Sequence, residues 1–198
     1  QVEALLTVPD QADLSRMAIL GHPHSLQGGT MNNKVVTTLV RTFKTLSIPS
    51  LRFNFRGVGK SDGEYDAGIG ESEDMLDIVK QCQTLFPDMR FIFAGFSFGS
   101  YVAYRAAALY PHELLITIAP PVHHNDYQAF DPQPAPWIVV QGDEDEVVPL
   151  KAVCDFSQAL KSPVTLLRFP ETGHFFHGKL IELKTSLLDA IRSQGLLA

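Results

Sequence analysis

The chain is short of three things, and each shortage removes a class of function. It contains no run of about eighteen apolar residues, the length needed to cross a hydrocarbon core, so no membrane association is expected. It has no basic excess: 16 Lys and Arg against 22 Asp and Glu give a net charge of -6, which offers no electrostatic footprint for nucleic acid. It has only two cysteines, Cys82 and Cys154, too few for a disulfide framework. Both lie in helix-like segments and read as buried, reduced thiols, and Gln1 opens a stretch with no charged-then-apolar leader. Those two features point to the cytoplasm.

What is present is the composition of an ordinary globule, 198 residues with 45% hydrophobic and 19% charged, which fits a single domain over residues 1–198. Short apolar runs ending in Gly, Pro or His alternate with longer segments whose apolar residues recur at three-and-four spacing. The pattern predicts strands at 2–8, 17–20, 50–55, 91–95, 114–118, 137–141 and 164–169, and helices at 32–46, 71–86, 98–109, 150–160 and 175–192. Strand and helix taking turns define an α/β fold around a mostly parallel sheet, and strands apolar nearly throughout suit a sheet covered on both faces. The one Pro-rich connection, residues 120–136, is too short for a folded insertion.

The segment Gly59-Lys60-Ser61 ends like a phosphate-cradling loop after a predicted strand. Asn54 stands where the first glycine of such a loop belongs, Asp62, Glu64 and Asp66 place carboxylates where a triphosphate would sit, and the next helix is delayed past Gly70. The residues read better as a glycine-rich strand exit.

Reacting groups in open parallel sheets gather at the carboxyl ends of the strands. Three such ends carry chemistry. The segment 91–95 runs into Gly95-Phe96-Ser97-Phe98-Gly99 and an Ala-rich helix, a G-x-S-x-G turn whose small residues let strand and helix close on each other while Ser97 projects above the sheet. The segment 137–141 runs into Gly142 and the carboxylates Asp143, Glu144, Asp145 and Glu146. The last strand is followed by Gly173-His174 and two aromatics. Ser, then acid, then His is the chain order of an α/β-hydrolase triad.

On these residues the chain resembles a small α/β-hydrolase-fold serine hydrolase along nearly its whole length. Arg56-Gly57-Val58-Gly59-Lys60-Ser61 fits the R-G-x-G-x-S loop of many members, and the segment from Gly21 to Lys34 resembles their oxyanion loop, with Gly21-His22-Pro23-His24 in place of a His-Gly motif. The pattern is similar to lidless bacterial hydrolases of the dienelactone-hydrolase type, although their nucleophile is Cys where this chain has Ser97, so that activity does not carry over. The resemblance implies a three-layer α/β-hydrolase fold without a cap domain, since the cap is commonly inserted where 120–136 leaves room only for a loop. The family's G-x-x-D-x-x-V-P spacing matches Gly142, Asp145, Val148 and Pro149 and selects Asp145 as the acid. Local geometry suggests the same, because Asp143 suits an Asx-type turn and Asp145 lies deeper in the loop.

These assignments imply a serine hydrolase acting on a small acyl substrate, a carboxylic ester or thioester, through an acyl-enzyme. Ser97 is the nucleophile, His174 the base and Asp145 its orienting acid, with the backbone N–H groups of Phe98 and His24 facing the oxyanion. No metal or organic cofactor is required. The pairs His22/His24 and His123/His124 lack a companion ligand at a known metal spacing. Phe96, Phe98, Phe175 and Phe176 flank the predicted nucleophile and base and either line an acyl pocket or fill the core, the core being favoured for Phe176. The same fold can also serve as a non-catalytic binding module.

Overall fold

The computed structural model describes residues 1–130, 132 and 135–195. Seven strands form one sheet: β1 (Ala4–Thr7), β2 (Arg16–Gly21), β3 (Ser50–Phe53), β4 (Arg90–Phe96), β5 (Leu114–Ile118), β6 (Trp137–Gly142) and β7 (Thr165–Phe169). Their order is β1-β3-β2-β4-β5-β6-β7, with β1 antiparallel at the edge and every other pairing parallel. Among the described residues five α-helices cover it: α1 (Lys34–Thr45), α2 (Ile69–Leu85), α3 (Phe98–Leu109), α4 (Leu150–Ala159) and α5 (Leu180–Ser193).

The period-two alternation of strand side chains divides the core into two layers. Met17, Ile19, Phe91, Phe93, Leu115, Trp137 and Val139 face α2, α3 and α4. Their neighbours Ala18, Leu20, Ile92, Ala94, Ile116, Ile138 and Val140 face α1 and α5. This is the expected three-layer α/β arrangement, and it explains why the central strands are apolar on both faces: β5 and β6 are buried along their whole length.

Three helix starts differ from the sequence expectation: that of α1 by two residues, because Asn33 caps it, and those of the last helix and α2 for reasons of their own. The last helix begins at Leu180, not at residue 175. The five residues before it hold turns, with Phe176 at φ 53° and Gly178 at φ 73°, and the buried Phe176 ring packs on Phe169. An apolar residue at helical spacing thus anchors a loop. In α2 the start is Ile69, because Gly68 at φ 92° precedes it and Glu71 caps it by accepting the N–H groups of Asp66 and Gly68. Gly70 therefore sits in the first turn, against the guanidinium of Arg56, where a Cβ would overlap. The two cysteines are free and only half-buried, more exposed than expected.

Candidate active site

The turn from β4 into α3 holds Ser97 at φ 53° and ψ -124°, a region that L-residues seldom enter, with its N–H bonded to the Ile118 carbonyl at 2.8 Å. Glycine makes the turn possible. A Cβ on Gly95 would overlap the backbone of Gly99, one on Gly99 would overlap Gly21, and one on Gly21 would stand 2.7 Å from the Gly99 carbonyl oxygen. The first turn of α3 thus lies directly on the ends of β2 and β4. Gly95 and Gly99 were legible from the motif; Gly21, 78 residues before Gly99, was not.

The carboxyl ends of β4, β6 and β7 bring Ser97, Asp145 and His174 into one hydrogen-bonded chain. His174 Nε2 lies 3.0 Å from Ser97 Oγ, and His174 Nδ1 lies 2.9 Å from Asp145 Oδ2 and 3.1 Å from Oδ1. With Nδ1–H donating to the carboxylate, Nε2 is left as the acceptor for the serine hydroxyl. Asp145 Oδ1 also accepts the N–H groups of Val147 and Val148, at 2.8 and 2.7 Å. Burial pushes the Asp145 carboxyl up, but His174 and these two N–H groups outweigh it and hold it below the usual carboxylate range.

That arrangement reverses part of the sequence reasoning about this loop. Asp145, not Asp143, makes the Asx-type turn, through its bond to Val147 two residues on. Asp143 leaves the loop to form a two-pronged ion pair with Arg168 at 2.8 and 2.9 Å. The loops after β6 and β7 are otherwise fastened by Asp143 N–H to Phe169 O, Glu144 N–H to Thr172 O, and His174 N–H to Glu146 Oε2 at 3.1 Å. Glu146 was not distinguished from its acidic neighbours in the sequence.

Phe98 opens α3 and His24 opens a short 3-10 turn, Ser25–Gln27. Among the described residues neither backbone N–H donates a hydrogen bond within the protein. The His24 carbonyl is occupied by Gln27 and Gly29, and its ring lies against Tyr65 at 4.9 Å and Phe98 at 5.0 Å between centroids. Tyr65 belongs to the glycine-rich loop after β3 and carried no signal of its own in the sequence. His22 is fully buried and does structural work. Its Nδ1 donates to Pro23 O at 2.6 Å and its Nε2 accepts the Phe55 N–H at 2.9 Å, joining the ends of β2 and β3. Burial lowers it to about 4.

The Lys60-Ser61 loop is tied into the fold. Ser61 Oγ donates to Asn54 O and accepts the Glu3 N–H, the Lys60 N–H goes to Glu3 Oε2, and Asn54 Oδ1 accepts the Met31 N–H. The Lys60 N–H is therefore spent on Glu3 and not left for a phosphate. The rings of His123 and His124 lie against each other, tilted by 42° with 3.9 Å between centroids. Among the described residues no group of three or more His, Cys, Asp or Glu side chains is placed to hold a metal ion, and no helix is long and apolar enough to cross a membrane.

No family model matches the sequence. An uncharacterized protein of Rickettsia prowazekii is 32% identical over 183 residues, spanning 87% of this chain and 77% of that one. An alpha-beta serine hydrolase homologue from Coxiella burnetii superimposes with a TM-score of 0.92 at 43% identity, over 96% of this chain and 91% of that chain. XC6422 from Xanthomonas campestris, described as a serine hydrolase without a lid, gives 0.93 at 42% identity over 97% and 88%. The chain belongs to the lidless α/β serine hydrolases.

In this hydrolase the connection after β5 is held down beside the serine turn. Tyr104 Oη, with one hydrogen to give, lies within hydrogen-bond reach of the carbonyls of both Tyr127 and Phe130, and Tyr127 Oη lies 3.3 Å from Ser100 Oγ. Residues 131, 133 and 134 of that connection lie outside the described residues. Of the four flanking aromatics, Phe96, Phe98 and Phe176 belong to the buried core, and Phe96 also presents its ring to His174 at 5.0 Å. Phe175 alone is substantially exposed, at 44%, edge-on to His174.

Proposed function

We propose that this hydrolase cleaves a carboxylic ester or thioester of a small acyl substrate through an acyl-enzyme on Ser97. The observation that carries the reading is the chain Asp145–His174–Ser97, whose acid and base side chains are 0% and 3% exposed. A serine hydroxyl is a weak nucleophile until a base takes its proton. His174 Nε2 accepts that proton as Oγ attacks the acyl carbonyl, and the resulting imidazolium is held by the Asp145 carboxylate. The carbonyl oxygen becomes an oxyanion, for which the unspent N–H groups of Phe98 and His24 are the donors. His174 then gives its proton to the departing alkoxide or thiolate, leaving the acyl group on Ser97. In the second half water loses its proton to Nε2, attacks the acyl carbonyl, and releases the acid with Ser97 restored. Two free thiols support a reducing, cytoplasmic setting.

The test is labelling with a fluorophosphonate probe, followed by peptide mass mapping and pre-steady-state assay of an activated acetate ester. Covalent modification at Ser97 and a burst of one equivalent of alcohol are expected. A folded protein that takes no label and turns over no ester is a binding module and not an enzyme.

A further inference from the structure

A concavity of about 300 Å³ opens between the end of the Gly21–Lys34 segment and the loop that follows His174. It is lined by Gly28, Thr30, Asn32, Asn33, Lys34, Val35, Phe175 and His177. Phe175 connects it to the site: its ring centroid lies 5.1 Å from that of His174 on one side and 5.9 Å from that of His177 on the other. The hollow therefore begins about one ring beyond the imidazole.

Its charge is opposite to that of the molecule. The chain carries a net charge of -6, yet no Asp or Glu lines this hollow, and two side chains able to carry positive charge do. Both Lys34 and His177 are exposed, and among the described residues the side chain of neither forms an ion pair or a hydrogen bond. Stability does not account for Lys34. It is the first residue of α1, where the helix dipole disfavours a cation, and no acid accompanies it in the first turn. Asn33 meanwhile caps the helix with its own side chain.

Resting on the acyl-transfer reading of Ser97, we propose that the hollow between Lys34, Phe175 and His177 receives a carboxylate carried by the substrate, a few carbons from the scissile ester. Lys34 supplies the attraction, His177, Thr30 and Asn32 supply hydrogen-bonding groups, and Phe175 is the apolar wall along which the intervening methylenes run. The carboxylate belongs either to the acyl chain or to the alcohol, and paired substrates distinguish the two. Exposed ion pairs are worth up to about 1 kcal/mol each, or about fivefold in rate, so a preference of about three- to tenfold is expected.

The experiment compares kcat/KM at low ionic strength for the p-nitrophenyl monoester of glutarate against p-nitrophenyl pentanoate. A second pair compares the acetate ester of 3-(4-hydroxyphenyl)propionate with that of 4-propylphenol. In one of the two pairs the carboxylate-bearing ester should be preferred. The preference should shrink in 0.5 M salt, fall towards one in the Lys34→Met, His177→Gln double variant, and reverse in Lys34→Glu. Turnover of all four esters with both ratios within twofold of one overturns the inference while leaving the serine chemistry standing. A preference that survives the double variant overturns it as well. No turnover of any ester together with no fluorophosphonate label removes both readings.

Discussion

Asp145 Oδ2 meets His174 Nδ1 at 2.9 Å where solvent reaches neither side chain appreciably, while Asp143, two residues earlier, points away to Arg168. The two carboxylates thus have separable roles. Asp145→Asn keeps the size and much of the turn but presents the imidazole with an amide, which disturbs the tautomer that leaves Nε2 free; in a serine triad such a change lowers kcat by about 10⁴. Asp143→Asn removes one exposed ion pair, of a kind that contributes little to stability, and should leave kcat within about tenfold. Both variants, checked for folding by circular dichroism, are assayed on one acetate ester. The opposite ranking would move the acid to Asp143.

Ser97→Ala removes one hydroxyl, and alanine has no easier access to φ 53° than serine, so the turn is neither relieved nor further strained. Loss of a triad nucleophile costs about 10⁶ in kcat. The variant should melt within a few degrees of the parent and show no ester turnover above the blank. Turnover within tenfold of wild type would put the nucleophile elsewhere.

How much of this site the sequence revealed follows from how local each feature is. The serine turn and its glycines are set by five consecutive residues, and the strand before and helix after Ser97 are readable from periodicity. The order Ser97, Asp145, His174 was equally visible. Three features were not, because each depends on contacts between segments distant in sequence: Gly21 against Gly99, Tyr65 against His24, and Glu146 beneath the His174 N–H. Spacing selected Asp145, the carboxylate that lies against His174, but the turn argument beside it failed, since Arg168 on β7 draws Asp143 outward. The late start of α5 has the same origin: Phe176 obeys helical spacing yet is buried against Phe169 from a loop.

With no cap over it, the site offers a long acyl chain little apolar surface beyond Phe175. Each CH₂ contributes about 0.8 kcal/mol only when fully buried, so lengthening the chain brings little transition-state binding here. Across p-nitrophenyl acetate, butyrate, octanoate and dodecanoate, kcat/KM should peak at the short end. A steady climb to dodecanoate would mean that a long apolar groove forms on binding.

The buried His22 makes the fold sensitive to mild acid, and the sign follows from its two bonds. Its Nε2 accepts the Phe55 N–H and so has no place for a proton, and burial lowers the ring from the usual 6.5 to about 4. The unfolded chain therefore binds a proton that the folded chain does not throughout the interval between those values. His22 thus contributes its full stability above pH 6.5, and that contribution is lost as pH falls towards 4. Fully expressed, the difference is about 3 kcal/mol. Asp145, held below its usual 3.8, adds a loss of the same sign but at lower pH, so the two windows separate. His24, His112 and His123 are also lowered and contribute to the same slope, so the wild-type curve alone does not isolate His22. His22→Gln does, because its amide oxygen can still accept from Phe55 but does not titrate. Urea unfolding at steps from pH 7.5 to 4 should find the variant about 1 to 3 kcal/mol weaker at neutral pH, from its imperfect fit between Pro23 and Phe55, and with a shallower decline on acidification. Parallel curves for the two proteins would show that His22 is not the group whose protonation opens the junction of β2 and β3.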